Sequence, residues 1–274
     1  MIPAAFEYRR ASTVDEALSL LSEGGEEAKL LAGGHSLLPL MKLRLAAPSL
    51  LVDIGRIRDL SFVREDGDRV VVGALTRHRD LEINDTLRTH APLLAHVAGQ
   101  VGDPQVRHRG TIGGSVAHGD PASDLPAACL ALGASFKAVG PSGERTIDAE
   151  DFFQGFLETA LAPDEVLTEI SLPKATGAGW SFQKFNRRAQ DWAIVGVAAV
   201  TGPRTGVALV NMGAAPLRAT AVEDALASGA SAAEAAARAA EGLDPPADLN
   251  ASSEYRVHLA QVLVRRALEE ASAA

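Results

Sequence analysis

Residues 109–124 read Arg109-Gly-Thr-Ile-Gly-Gly-Ser-Val-Ala-His-Gly-Asp-Pro-Ala-Ser-Asp124, and a shorter counterpart, Ala32-Gly-Gly-His-Ser36, stands well before them. Each is a run of small residues with a Gly-Gly pair closely followed by serine. Glycine reaches backbone angles closed to other residues and lets a ligand come close to the main chain. Successive amides in such a turn converge into a concavity suited to an anion. A single Gly-Gly pair is commonly a plain turn, so the weight rests on the pairing. Two such loops in one chain point to one long ligand with a phosphate bridge in its middle.

Working outward, Thr13-Val-Asp-Glu16 matches a helix capping box, and Gly24-Gly25 ends the helix it opens. A short strand at 28–31 runs into the first Gly-Gly loop. A helix at 37–45 and a buried strand at 50–54 complete a β/α unit over residues 1–56. Hairpins follow at 61–73 and 134–147, with helices at 76–83, 92–101 and 125–132 and a strand at 165–172. Residues 102–124 read as a loop. Lys174-Ala-Thr-Gly-Ala-Gly179 has the composition of a boundary, which gives domains of 1–176 (subdomains 1–56 and 57–176) and 177–274. The second contains three strands (180–186, 193–201 and 206–213) and then alanine-rich helices at 219–241 and 253–270. The fold class is α+β, the last domain being a three-stranded antiparallel sheet covered by helices.

The chain has 274 residues, 47% of them hydrophobic, enough for a large core and about two domains. Its formal charge of −9 is not the clustered basic face that nucleic acid requires. Apolar runs such as 193–200 are too short to span a bilayer, and the N-terminus lacks a signal-peptide pattern. The expected location is the cytoplasm. The one cysteine, Cys129, sits in an apolar run. It excludes an intramolecular disulfide and any iron–sulfur cluster held by this chain's cysteines alone.

Neither Gly-Gly loop fits a P-loop or a Rossmann fingerprint. Asp103, His108, His118, Asp120 and Asp124 bear metal-ligating groups, but His-x-Asp-x-x-x-Asp matches no metal signature, and helix capping explains aspartates as well. Ser36 and Ser115 lack the Gly-x-Ser-x-Gly elbow of hydrolases. No catalytic or metal-binding residue is assigned. Lys184, Arg187, Arg188, Asp191 and Trp192 cluster between two strands. They form either a solvated turn or a place where Trp192 stacks on a flat ring with the lysine near a phosphate or ring oxygen.

Ala32-Gly-Gly-His-Ser36, Thr111-Ile-Gly-Gly-Ser115 and Ser123-Asp-Leu125, in that order, resemble the FAD-binding medium subunit of the molybdenum hydroxylases, the family of carbon monoxide and xanthine dehydrogenases. The resemblance covers the whole chain. It implies a flavin domain of the vanillyl-alcohol-oxidase (PCMH) type, then the family's C-terminal flavoprotein domain. It implies that Lys29, Leu30, Leu31, Ala32, Gly33, Gly34, His35 and Ser36 wrap the diphosphate and part of the ribityl chain. Thr111, Ile112, Gly113, Gly114 and Ser115 would supply a second set of amides. Asp124, Leu167 and Lys184 would make further flavin contacts, with Trp192 beside the isoalloxazine.

The function so implied is electron transfer. A large subunit would hold the molybdenum cofactor and a small subunit two [2Fe–2S] clusters. The electrons would then pass through non-covalent FAD on this chain to an external acceptor, in a dimer of heterotrimers. Two other functions fit the same residues: a stand-alone FAD reductase or oxidase, and a nucleotide-binding assembly protein without redox turnover.

Overall fold

The structure is a computed structural model, and it describes residues 2–273. Three sheets with their helices build it. The first is parallel, with Leu50–Asp53 flanked by Glu7–Arg10 and Ala28–Leu31. Helix Val14–Gly24 buries Ala17, Leu20 and Leu21 against it. Thr13 accepts from the Glu16 amide as expected, but the Glu16 carboxylate reaches back to Ser12 rather than to the cap residue. The strand Glu7–Arg10 is exposed throughout and so had no hydrophobic signature. Backbone pairing recruits it, through Tyr8 opposite Leu51 and the Ala11 amide on the Asp53 carbonyl, with the Tyr8 hydroxyl donating to the Asp53 carboxylate.

The second sheet has five antiparallel strands in the order Val63–Asp66, Arg69–Gly73, Val166–Pro173, Ser135–Gly140, Gly143–Asp148. Helices Pro92–Gln100 and Asp124–Leu132 pack into its core. All nine residues of Asp124–Leu132 are buried, because a second layer lies on its other side. That layer is the third sheet, Gly179–Phe185, Val195–Thr201 and Gly206–Val210, the three strands expected, extended to four by Leu217–Arg218. Strand alternation divides its side chains. Ala198, Val200, Ala208 and Val210 join the core of the Asp124–Leu132 helix. Val195, Val197, Ala199, Val207 and Leu209 join that of the final helix, Ser253–Ala273.

Residues 102–124 are not a loop. They contain helices Pro104–Arg109 and Ile112–His118. Asp103 caps the first by accepting from the Val106 amide at 2.8 Å, with Pro104 in the first turn. Thr111 caps the second by accepting from the Gly114 amide at 3.1 Å. The glycine pair disguises this helix, because glycine costs about 1 kcal/mol in a helix interior. Here it permits close packing: a Cβ on Gly113 would lie 2.5 Å from Ala74 Cβ and 2.6 Å from its carbonyl oxygen. Three further elements lacked a sequence pattern, helices Asp85–His90 and Ala149–Phe152 and the small hairpin Phe153–Gly155/Glu158–Thr159. The alanine-rich segment expected as helix at 219–241 is two helices, Thr220–Ala227 and Ala232–Ala236, parted at Gly229 with φ +87°.

The contact between the third sheet and the Asp124–Leu132 helix is closest at Gly206, where a Cβ would stand 2.0 Å from the Ala131 carbonyl oxygen. Backbone cannot yield as a side chain does, so Gly206→Ala is expected to destabilise the chain by about 3 kcal/mol. A urea midpoint equal to that of the parent would contradict this packing.

Candidate functional site

A cavity of about 500 Å³ opens beside the carboxyl end of strand Ala28–Leu31. The loop ends of parallel strands are where ligands of α/β sheets commonly bind. One wall is Lys29, Leu30, Leu31, Ala32, Gly33, Gly34, His35 and Ser36. The floor includes Thr111, Gly113, Gly114 and Ser115, and the far wall runs from Leu157 to Leu167.

The two Gly-Gly segments touch one another. A Cβ on Gly33 would lie 2.4 Å from the Arg109 carbonyl oxygen and 2.9 Å from Gly110 Cα. The strip Thr76–His78 holds the second segment in place. The His78 amide donates to Gly110 O at 3.0 Å, the Ile112 amide to Thr76 O at 3.1 Å, and the Arg77 guanidinium to Arg109 O. Burial and the neighbouring Arg109 both lower the Arg77 pKa. Two crowded guanidiniums of this kind favour an anion nearby.

The amides of the two segments differ. Those of Gly33, Gly34, His35 and Ser36 have no acceptor among the described residues. Gly34, at φ +78°, makes the left-handed turn within them. In the helix Ile112–His118 the first-turn amides are occupied. Ile112 N donates to Thr76 O, Gly113 N to Ala74 O, Gly114 N to Thr111 Oγ1 and Ser115 N to Thr111 O. Of this segment's amides only that of Thr111 has no acceptor among the described residues, so the segment does not offer a row of free amides. What it presents instead is the bare Cα of Gly114, where a Cβ would meet only Thr111 Oγ1 at 2.8 Å, and the hydroxyl of Ser115. Ile112 is wholly buried and packs in the core rather than along the cavity.

Leu167 is buried and lines the cavity. Asp124, Lys184 and Trp192 are not among its lining residues. Asp124 and Lys184 instead make a buried ion pair, Nζ to Oδ2 at 2.7 Å, joining the Asp124–Leu132 helix to strand Gly179–Phe185. Lys184 also donates to Gln100 O at 3.2 Å. Burial pushes the Asp124 carboxyl up to about 6 and Lys184 opposes that rise; its Oδ1 has no hydrogen-bond partner. Trp192 is 58% exposed on the turn after that strand. Cys129 is buried, and burial pushes its thiol up to about 12, so it holds its proton at neutral pH.

Sequence reading passed over His78, Arg77 and the far wall at 157–163. His78 is 3% exposed, lines the cavity and has Nε2 3.4 Å from Ser115 Oγ. Burial first, then His35, Arg77 and Arg107, push its imidazole down to about 4. Nothing local marks this residue, since long-range packing makes its environment.

A family model described as the FAD binding domain in molybdopterin dehydrogenase matches residues 4–175, and one described as the CO dehydrogenase flavoprotein C-terminal domain matches residues 180–271. The carbon monoxide dehydrogenase medium chain of Hydrogenophaga pseudoflava is 43% identical, covering 99% of this chain and 98% of that protein. The 6-hydroxypseudooxynicotine dehydrogenase complex subunit alpha of Paenarthrobacter nicotinovorans is 37% identical over 99% of this chain and 96% of its own. The solved carbon monoxide dehydrogenase of Hydrogenophaga pseudoflava lacking the Mo-pyranopterin moiety has a chain that superposes with TM-score 0.95. It is 45% identical and covers 100% of this chain and 99% of that one.

The glycine geometry separates two variants. Gly114→Val should fold with no more than a local shift at the Thr111 cap and lose flavin, since Gly114 lines the cavity. Gly113→Val should fail to fold, because it collides with Ala74. Far-ultraviolet dichroism and bound-flavin absorbance distinguish these outcomes; stoichiometric flavin in Gly114→Val would contradict the assignment.

His78 gives a pH dependence. Its folded pKa lies below the unfolded value of 6.5, so its stabilising contribution is complete above that pH and is lost as pH falls toward 4. At about 1.4 kcal/mol per pH unit crossed, the parent should lose about 2–3 kcal/mol more than His78→Phe between pH 7 and 4.5. Equal losses in urea unfolding would refute this.

Proposed function

The chain belongs to the FAD-binding medium subunits of the molybdenum hydroxylases, and from that premise we propose that it carries electrons from the iron–sulfur clusters of a partner chain to an external acceptor. It is an oxidoreductase subunit with FAD as its cofactor. The observation that carries the reading is the row of free amides at Gly33–Ser36 facing Gly114, which has no side chain, across the cavity. Such a cradle fits a diphosphate between two larger groups.

In this reading, residues 1–176 form the PCMH-type domain, with a first unit at 1–56, and residues 177–274 form the C-terminal domain. Lys29, Leu30, Leu31 and Ala32 line the approach to the diphosphate, and Gly33, Gly34, His35 and Ser36 bind its oxygens. Thr111, Gly113, Gly114 and Ser115 shape the opposite side, with Ile112 anchoring them from the core. Leu167 closes the apolar wall. Asp124, Lys184 and Trp192, which lie outside this cavity, would make the further flavin contacts that the family resemblance implies. FAD supplies both one- and two-electron chemistry when bound. The chain's part is to hold it non-covalently and to set its electrostatic surroundings.

Cys129 is the only cysteine and is buried, so a cluster must reside on another chain. The complex we infer contains a large molybdenum-cofactor subunit and a small [2Fe–2S] subunit, assembled as a dimer of heterotrimers in the cytoplasm. No helix among the described residues is long and apolar enough to cross a membrane.

Purified from its native source, the chain should bring down two partner chains and show flavin absorbance. Acid precipitation should release all of the yellow chromophore into the supernatant. A colourless chain that cannot be reconstituted with FAD would refute the flavin reading. Colour left on the precipitate would refute non-covalent binding. A lone chain turning over a small substrate would refute the subunit role.

A further inference from the structure

His78 is an unusual residue to bury. Its ring lies against Gly110, where an added Cβ would stand 2.6 Å from both Cδ2 and Nε2. It therefore occupies the space beneath the second Gly-Gly segment, and Gly110 has no side chain because the ring is there. The Nε2 edge faces Ser115 Oγ at 3.4 Å, on the cavity side. The Nδ1 edge is buried without a partner.

Those two edges decide the tautomer. With the proton on Nδ1, a buried N–H would have no acceptor, and unsatisfied buried donors are among the rarest groups in folded proteins. With the proton on Nε2, that N–H points at Ser115, and only an acceptor lone pair is left bare at Nδ1, a smaller loss. Ser115 Oγ then accepts from the imidazole. The Ser115 hydroxyl makes no other hydrogen bond among the described residues, so its own proton is free to point into the cavity.

We propose that His78 is a positioning residue for the bound dinucleotide: by donating from Nε2 to Ser115 Oγ, it turns the Ser115 hydroxyl into a donor aimed at the diphosphate. The proposal rests on the FAD reading above. It explains how the second segment contributes with the amides of Ile112–Ser115 engaged, since the hydroxyl supplies a donor that those amides cannot. It also explains the buried imidazole, which makes the low-pH loss of stability described above the cost of a ligand-directed group. Burial and the neighbouring Arg77 and Arg107 guanidiniums act on His78. They disfavour a second ring proton, which keeps Nε2 a single donor.

The test is a double-mutant cycle on the full chain, stripped of flavin and titrated with FAD, with binding followed by flavin fluorescence. Ser115→Ala and His78→Phe should each weaken binding about tenfold, the worth of one hydrogen bond to a charged group. The double variant should bind no more weakly than Ser115→Ala alone, because His78 acts only through that hydroxyl. His78→Gln, whose side-chain amide can replace the Nε2 donor, should recover most of the affinity. It also serves if His78→Phe does not fold. Independent, multiplying effects, or unchanged affinity in Ser115→Ala, would overturn the role of His78 while leaving the FAD reading intact. Failure of the parent chain itself to bind FAD would overturn that reading instead.

Discussion

The contact between Gly33 and the Arg109–Gly110 backbone is the constraint on which the site depends. A segment leaving the parallel sheet and one following helix Pro104–Arg109 approach so closely that a Cβ on Gly33 would collide with the Arg109 carbonyl oxygen. Their backbones are not bonded to each other there. The strip Thr76–His78 fixes the second segment through hydrogen bonds to Gly110, Arg109 and Ile112, and the parallel sheet fixes the first. The cavity is therefore held open by rigid backbone on two sides, which limits the ordering cost of binding a long flexible ligand.

A division of labour follows from this geometry. The Ala32–Ser36 segment leaves its amides free because it is neither strand nor helix. The Ile112–Ser115 amides are spent on the Thr111 cap and on the carbonyls of Ala74 and Thr76, and the segment offers shape and a hydroxyl instead. The two look alike in sequence and act differently. The glycines differ in the same way: Gly33 and Gly113 are required by protein packing, whereas Gly114 keeps open the space in front of it.

The helix Asp124–Leu132 links this site to the rest of the chain. Buried between the second and third sheets, it begins at the Asp124–Lys184 pair and ends against Gly206. An ion pair taken out of water gains little over apolar packing, yet losing one partner leaves a costly buried charge. The pair therefore fixes the position of strand Gly179–Phe185, and with it the turn that carries Trp192.

Much of the architecture was legible in the chain itself. Periodicity, capping residues and glycine stops placed most helices and strands of the three sheets, because those signals are local. The pairing of Gly-Gly motifs pointed to the cavity, and thirteen positions named for flavin, Lys29–Ser36, Thr111, Gly113–Ser115 and Leu167, line it. Local signals failed where distant contacts prevail. The glycines at 113–114 argued for a loop, but the fit against Ala74 made a helix. The exposed strand Glu7–Arg10 had no pattern, because backbone pairing and the Tyr8–Asp53 hydrogen bond hold it rather than an apolar face. His78 had no signature at all, since its low pKa and its hold on Ser115 arise from residues far apart in the chain. Sequence by itself determined which segments could be helix, strand or anion-binding turn, through local stereochemistry. Only the tertiary structure decided which amides stay free, which glycines face the cavity and which histidine lies beneath it, because those depend on what the folded backbone brings within reach.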